Sequence, residues 1–230
     1  MSKALVWDYP TRLFHWALTV GFTIAFAIAV LAGHRSAWFP VHMILGLALG
    51  VVAVLRIIWG FVGTRYARFG SLLFAPTALA GYLRGAVTGQ APRFAGHNPG
   101  SAYATFAILA LTLITAGTGL LMSRDVEAAE ELHELAAYAL AAVAVVHIAG
   151  VAWHSWRHRE NLAASMVTGA KETEAADEEI ASPRPVAGIV FALIIATATV
   201  GLFRNYDQQR HETKLPLLGT PIHLGEEEHH

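Results

Sequence analysis

The stretch ELHELAAYALAAVAVVHIAGVAWHSW, from Glu131 to Trp156, is an alanine- and valine-rich run long enough to cross a bilayer. It carries three histidines, His133, His147 and His154. Ionisable side chains are costly inside a membrane, so each one there is a functional candidate. The run therefore predicts a membrane helix whose histidines are the first residues to explain.

The whole chain has the composition of an integral membrane protein. Of its 230 residues, 55% are hydrophobic and 14% are charged, and the mean hydropathy is +0.46. A net charge of −1 and the lack of a basic patch argue against nucleic-acid binding. The chain has no cysteine, which excludes disulfides, iron–sulfur clusters, thiolate zinc sites and haem attached through C-x-x-C-H. Any metal or cofactor must be held by His, Met or oxygen ligands.

Five apolar stretches approach the roughly 20 residues that span the hydrocarbon core of a membrane. They are residues 15–32, 41–62, 102–122, 132–156 and 186–203. The fifth is the shortest, and an interfacial helix is its alternative. We interpret all five as spanning helices, which predicts an all-α integral membrane protein.

Lys and Arg in the connections predict the orientation. If the N-terminus is cytoplasmic, ten of these residues lie on that side and five on the other, with Arg56 inside the second helix. The ten are Lys3, Arg12, Arg65, Arg68, Arg84, Arg93, Arg157, Arg159, Lys171 and Arg184. The N-terminus is therefore expected inside and the C-terminus outside.

The spacing of the histidines predicts two pairs at different depths. His133 and His147 are 14 residues apart, which gives a rise of about 21 Å and a rotation about 40° short of whole turns. His42 opens the second helix at the outer surface, at the depth of His133. His15 opens the first helix at the inner surface, towards His147. A lone histidine could simply be satisfied by a carbonyl or hydroxyl, but two pairs at matched depths fit that explanation poorly.

Two imidazoles from different helices suit a planar cofactor that is held from both faces, as b-type haem is. Both axial positions are then filled, so the expected chemistry is electron transfer. A zinc or nickel site would instead need three or four ligands at one depth. His154 follows His147 by seven residues on nearly the same face and is a reserve inner ligand, or a side chain that extends to the interface.

Arginines and glycines near these histidines extend the same hypothesis. Arg56 follows His42 by 14 residues, and its expected partner is a propionate of the inner haem, with extension to the interface as the alternative. Arg124, after the third helix, could pair with a propionate of the outer haem. Gly46 and Gly50 either let a porphyrin approach the second helix or form a small-residue packing face.

Four segments together resemble the bacterial cytochrome b561 family, which includes the b-type cytochrome subunits of membrane-bound nickel–iron hydrogenases. They are VWDYPTRLFHW, VHMILGLALGVVAVLRIIWGFVGTRYARF, GHNPG and LHELAAYALAAVAVVHIAG, which together cover most of residues 5 to 160. The resemblance implies a four-helix transmembrane bundle with two b haems, held by His15 and His147 on the inner side and by His42 and His133 on the outer side. Of these segments, GHNPG has no evident chemistry beyond a turn-forming Asn-Pro-Gly.

The resemblance also implies a role in the bacterial inner membrane, where electrons pass between the quinone pool and an outer-face partner. That partner would be a periplasmic c-type cytochrome or a dehydrogenase subunit. Whether such a subunit of a respiratory chain is an enzyme by itself depends on its partner. The residues leave two alternatives, a His-lined metal ion or proton transporter and a haem-free anchor. The transporter is disfavoured because the spans contain no Asp or Glu apart from Glu131 and Glu134 at an edge.

The expected organisation is a di-haem bundle over residues 1–160, an acidic cytoplasmic linker at 161–185, a fifth transmembrane helix at 186–203 and a polar outer tail at 204–230. The linker sequence KETEAADEEIASPRP predicts a solvated tether. The fifth helix and the tail fall outside the resemblance, and we expect them to dock a partner subunit. In the connection between the second and third spans, Pro76 predicts the start of a short helix that could lie on the membrane surface.

Overall fold

The computed structural model describes residues 2–173, 179–209, 212–214, 219 and 221–224. Its α-helices, in chain order, are α1 (Tyr9–Leu31), α2 (Phe39–Val62), α3 (Pro76–Thr88), α4 (Pro99–Met122), α5 (Ala129–His158), α6 (Leu162–Thr168) and α7 (Pro185–Arg204). Within the described residues, five of them, α1, α2, α4, α5 and α7, are long and apolar enough to cross a membrane. The prediction of five such helices is confirmed, and the short helix expected from Pro76 is α3.

The remaining elements are short. A 3₁₀ helix covers Phe69–Leu72. The strands in the described part of the chain are β1 (Ser2–Leu5), β2 (Ala170–Thr173), β3 (Glu212–Lys214) and β4 (Pro221–His223). The strands form two separate antiparallel pairs, β1 with β2 and β3 with β4. Helices therefore dominate the fold, as the composition predicts.

Both α1 and α4 begin at a side-chain cap. Asp8 Oδ1 accepts a hydrogen bond from the N–H of Thr11 at 2.8 Å, and Asn98 Oδ1 accepts one from the N–H of Ser101 at 2.8 Å. Each bond satisfies an N–H group that the start of a helix leaves without an intrahelical partner. Pro99 is the first residue of α4, where a missing N–H costs nothing. The Asn-Pro-Gly sequence, predicted as a turn, thus also starts a helix.

The chain forms two compact units, and each long helix contributes to both. Unit 1 comprises Met1–His15, Arg56–Ala110 and Leu140–Gly188. Its apolar cluster contains Val6, Trp7, Tyr66 and Ile180. The strand pair β1–β2 belongs to this unit, and Gly169, with φ of 83°, bends the chain so that its carbonyl accepts the N–H groups of both Val6 and Trp7.

Unit 2 comprises Trp16–Leu55, Leu111–Ala139 and Ile189–His230. Its apolar cluster contains Ile44 of α2, Leu202 of α7, and Ile222 and Leu224 of the tail. Thr213 in β3 donates a hydrogen bond to the carbonyl of Leu202 at 2.7 Å. The tail is therefore attached to the end of α7 by both apolar packing and a buried hydrogen bond.

Two segments have more structure than their composition predicted. The linker at 161–185 contains α6 and β2, and Ile180 is buried because it packs with the apolar cluster of unit 1. In the tail, Ile222 and Leu224 are buried although most neighbouring residues are polar. Residues 174–178 of the linker and 225–230 of the tail lie outside the described residues.

The long helices expose large apolar side chains, as lipid-facing helices do. Leu31 is 84% exposed, Val146 is 71% exposed and Val186 is 73% exposed. Trp38 precedes α2, Trp156 lies near the end of α5, and both are exposed, at the helix ends where membrane proteins concentrate tryptophan. The chain is a membrane protein that contacts lipid over these surfaces.

Candidate functional site

Two of the four predicted ligand histidines face each other in unit 2. The imidazole rings of His42, on α2, and His133, on α5, have centroids 6.2 Å apart and are inclined by 71°. Phe39 also stacks on the His42 ring, with centroids 5.3 Å apart and planes inclined by 13°. The predicted outer pair is thus brought together.

Hydrogen bonds to the main chain fix the protonation of both rings. His42 Nδ1 donates to the carbonyl of Ala25 at 2.8 Å, and His133 Nδ1 donates to the carbonyl of Thr115 at 3.0 Å. A carbonyl oxygen only accepts, so each Nδ1 carries the proton in the neutral ring. The Nε2 lone pair is then left to bind a metal, in the arrangement that protein metal sites commonly use.

The separation of the two rings suits a metal ion between them. Imidazole nitrogen binds first-row metals at about 2 Å, so two such rings on opposite sides of one ion have centroids about 6 Å apart. Among the described residues, no group of three or more His, Cys, Asp or Glu is placed to hold a metal ion. The pair therefore offers two axial ligands, the number that a macrocycle with its own four nitrogens requires.

Helix α4 makes room for His133 at a sequence of small residues, TAGTG from Thr115 to Gly119. A Cβ at Gly119 would lie only 3.3 Å from His133 Cε1. Thr118 Oγ1 also contacts His133 Nδ1 at 3.2 Å. These positioning residues were not predicted from the sequence, although two threonines and two glycines within five residues of a membrane helix are a recognisable signal.

The two glycines of α2 differ in their surroundings. A Cβ at Gly50 would come within 3.0 Å of Ala116 on α4, whereas a Cβ at Gly46 would meet no atom within 4 Å. Gly50 therefore serves helix packing. Gly46 lies one turn after His42 and has no side chain, so this face of α2 has room for a planar group.

Arg124 lies in the turn between α4 and α5, and its side chain is exposed. It belongs to unit 2, as does the His42/His133 pair. Its pairing with a propionate stays a prediction.

The other two predicted ligands, His15 and His147, both belong to unit 1 and interact electrostatically with each other. His97, from the GHNPG sequence, interacts electrostatically with both of them. Burial lowers the pKa of His97 to about 3, and the charges of Arg56, His147, Lys171 and His15 act in the same direction. Unit 1 therefore gathers its histidine pair beside a third imidazole and two cations.

Arg56 does not extend to the interface, because its side chain is only 4% exposed. Its Nη2 donates to the carbonyl of Ala67 at 3.1 Å, and its Cζ lies 5.5 Å from the centroid of the Phe69 ring. Its Nη1 is buried with no hydrogen-bond partner among the described residues. A buried guanidinium with a donor to spare fits an acidic group such as a propionate.

Asp8 is a fully buried carboxylate that ties the start of α1 to the end of α2. Beyond the N–H of Thr11, it accepts hydrogen bonds from Trp59 Nε1 at 3.1 Å and from Thr64 Oγ1 at 2.6 Å. His15 lies less than two turns after Asp8, so this network fixes the segment that carries the ligand. Asp8 lies in the segment VWDYPTRLFHW, but the sequence alone predicted no role for it.

His154, the reserve ligand, has other partners. Its Nδ1 lies 3.5 Å from the hydroxyl of Tyr82, and its Nε2 lies 3.8 Å from Glu160 Oε2. Burial opposes ionisation of Glu160, but the hydrogen bond with His154 and the charges of Lys171 and Arg93 outweigh it and lower the pKa of this carboxyl. With both ring nitrogens engaged, His154 is a poorer candidate ligand than His147.

A model of the family described as prokaryotic cytochrome b561 matches residues 6–169 of the chain. The match includes the four paired histidines and Arg56, and it ends before α7. No curated protein and no solved structure matches the chain.

Proposed function

Because the chain belongs to the prokaryotic cytochrome b561 family of membrane b-type cytochromes, we propose that it holds two b haems and transfers electrons between the quinone pool and an outer-face partner. The partner would be a periplasmic c-type cytochrome or a dehydrogenase subunit. The observation that carries this proposal is the His42/His133 pair, with ring centroids 6.2 Å apart and both Nδ1 atoms bonded to carbonyls.

The chain's residues have distinct tasks in this proposal. His42 and His133 bind one haem, and His15 and His147 bind the other, with each Nε2 as the ligating atom. Haem iron with two imidazole ligands supplies one-electron transfer and leaves no position for oxygen. The carbonyls of Ala25 and Thr115 hold the unit 2 rings in place and make them more basic.

The two sites would act in series. Helix α5 runs unbroken from Ala129 to His158 and carries one ligand of each pair. A separation of 14 residues corresponds to a rise of about 21 Å along a helix, which takes electrons across much of the hydrocarbon core. The four helices α1, α2, α4 and α5 would form the bundle that encloses both haems.

The same proposal assigns the N-terminus to the cytoplasm and the C-terminus to the periplasm, with the chain in the bacterial inner membrane. The excess of Lys and Arg in the expected inner connections supports this orientation. The division into a bundle at 1–160, a linker at 161–185, α7 and an outer tail belongs to it. The strand pair β3–β4 and the packed residues Ile222 and Leu224 would give a docking partner an ordered surface.

A visible spectrum of the detergent-purified protein tests the haem proposal. We expect a b-type spectrum on reduction with dithionite, and haem extraction should give about two haems per chain. A folded, colourless protein would disprove the proposal and would favour a His-lined transporter or an anchor.

The quinone link needs a separate measurement. Anaerobic addition of a short-chain quinol to the oxidised protein should reduce the haems. If dithionite reduces both haems but no ubiquinol or menaquinol analogue does, the protein exchanges electrons with other carriers and the quinone part of the proposal fails.

A further inference from the structure

Arg56 Nη1, on α2, and His97 Nδ1, in the loop before α4, are among the buried nitrogen atoms of unit 1 that have no hydrogen-bond partner among the described residues. An unsatisfied buried polar atom is unfavourable and rare in native proteins, so each one calls for a partner. Where two such donors lie in one region, a single bound group can satisfy both.

Both side chains belong to the region around residues 66 and 67, because Arg56 Nη2 donates to the carbonyl of Ala67 and Gly96, next to His97, packs so tightly on Tyr66 that a Cβ there would clash with Tyr66 Cδ1. The charge of Arg56 is the largest electrostatic influence on His97 after burial itself, and it lowers the pKa of the imidazole. A neutral imidazole donates one N–H, and a guanidinium donates as a cation. One cationic donor and one neutral donor match a group with a single negative charge.

Asp8, whose charge acts on Arg56, does not fill this role. Asp8 accepts hydrogen bonds from Thr11, Trp59 and Thr64, and those three donors occupy it. The rings of Trp7 and His97 form an edge-to-face contact, with centroids 4.7 Å apart and planes at 71°, and this contact restrains the imidazole without using Nδ1. Since the described part of the chain offers these two nitrogen atoms no acceptor, we look for it in a bound molecule.

We propose that Arg56 Nη1 and His97 Nδ1 together form a carboxylate site, and that its occupant is a propionate of the haem held by His15 and His147. The inference rests on the proposed function, since it needs a haem in unit 1. His15 and His147 both act electrostatically on His97, so a haem bound by this pair would bring its carboxylates into the same region. His97 thereby gains a role that the GHNPG sequence alone did not suggest.

Redox titration of the purified holoprotein tests this site. A donor to the propionate offsets its negative charge, so its loss should favour ferric iron and lower the potential of the inner haem. His97→Ala should lower the reduction equilibrium constant of that haem by about tenfold, or about 59 mV for one electron. His97→Gln keeps an N–H donor and should restore part of the shift, and Arg56→Gln should give the larger effect because it removes a full charge.

The control is Arg68→Gln, which removes an exposed cation from the same unit. It should leave both potentials unchanged, and the outer haem should keep its potential in every variant. If His97→Ala retains two haems with the wild-type inner potential, the carboxylate site is disproved. An inner potential that depends on added acetate in the wild type would assign the site to a free anion and would also disprove it.

A second measurement needs no substitution at the site and applies even if the variants lose haem. Wild-type protein produced without haem is loaded with protohaem or with its dimethyl ester, which has no free carboxylate. The inner haem, identified by its absence from His147→Ala, should load at least tenfold less well as the ester. Equal loading would overturn the inference, whereas failure to bind protohaem at all would count against the proposed function.

Discussion

The two histidine pairs are held by different kinds of interaction. In unit 2, His42 and His133 each donate Nδ1–H to a helix carbonyl, and a glycine and a threonine of α4 shape the space around one ring. In unit 1, His15 and His147 interact electrostatically with His97, and both Arg56 and His97 have a buried nitrogen atom without a hydrogen-bond partner among the described residues. Main-chain hydrogen bonds orient the rings of the unit 2 pair, whereas electrostatic interactions with charged and titratable side chains characterise the unit 1 pair.

This difference has a consequence for the proposed haems. Main-chain hydrogen bonds set the orientation and basicity of an axial imidazole, while nearby charges act on the iron through space. A substitution that moves a ring should therefore act mainly on the haem of unit 2. A substitution that changes a charge should act mainly on the haem of unit 1.

Removal of a ligand should give the largest effect and should separate the two sites. His133→Ala should lose the haem of unit 2 and His147→Ala the haem of unit 1, each reducing the content from two haems to about one. Low-temperature difference spectra and redox titration identify which haem remains. The same haem missing from both variants would contradict the pairing.

His154→Ala is the matched control for these losses, because it removes a histidine from the same helix. Its ring is engaged by Tyr82 and Glu160, so we expect this variant to keep both haems. Loss of the inner haem from His154→Ala, with retention in His147→Ala, would exchange their roles.

The Asp8 network should have the next largest effect, this time on stability. Asp8→Ala removes the cap of α1 and leaves Trp59 and Thr64 without their buried acceptor, at a cost of about 2 to 4 kcal/mol. Thermal unfolding in detergent should begin at a lower temperature, and the haem of unit 1 should be released before that of unit 2. Thr64→Val, which removes one of the three donors, should give a smaller decrease, and an unchanged Asp8→Ala protein would show that the network is dispensable.

Ring geometry in unit 2 can be disturbed by a single methyl group. Gly119→Ala places a Cβ about 3.3 Å from His133 Cε1, so the ring must turn or shift slightly. The electron paramagnetic resonance signal of the outer haem, which depends on the angle between its axial rings, should change while the inner signal stays constant. Gly117→Ala is the control, since a Cβ there meets no atom within 4 Å.

If Gly119→Ala and Gly117→Ala give the same spectrum as the wild type, the tight contact at His133 does not orient the ring. A change in the signal of the inner haem alone would contradict the idea that ring geometry matters mainly in unit 2.

The sequence was sufficient for the long helices and the family, because both depend on patterns that a membrane imposes. An apolar run near 20 residues has few stable alternatives in lipid, and the five spans and the family match are confirmed. The linker and tail were harder to predict. Their structure depends on a few residues such as Ile180 and Leu224, which pack against partners far away in the sequence.

For the site, spacing along a helix predicted which histidines could pair, and the structure brings His42 and His133 together. Spacing could not predict the contacts that hold these side chains in place. The side chain of Ala25 does not reveal that its carbonyl accepts a hydrogen bond from His42. Arg56 and His97 are contacted by Ala67 and Trp7, which lie outside the long helices. Such contacts require three-dimensional structure because main-chain acceptors and loop packing are not encoded at a fixed spacing.

We expect the smallest effect from the substitution of Glu160, in unit 1. Its contact with His154 and the charges of Lys171 and Arg93 lower its pKa below the ordinary value of 4.5, so its ionised form stabilises the folded chain. That contribution is present above the pKa of the unfolded chain and is lost as the pH falls through the folded pKa, which places the loss below about pH 4.5. Unfolding midpoints should therefore be lower for Glu160→Gln than for wild type at neutral pH, and the two should converge in acid. The control is Glu134→Gln, which changes an exposed residue and should have the unfolding midpoint of the wild type at every pH. If the midpoint of Glu160→Gln differs from that of the wild type by the same amount at every pH, packing and not charge is responsible.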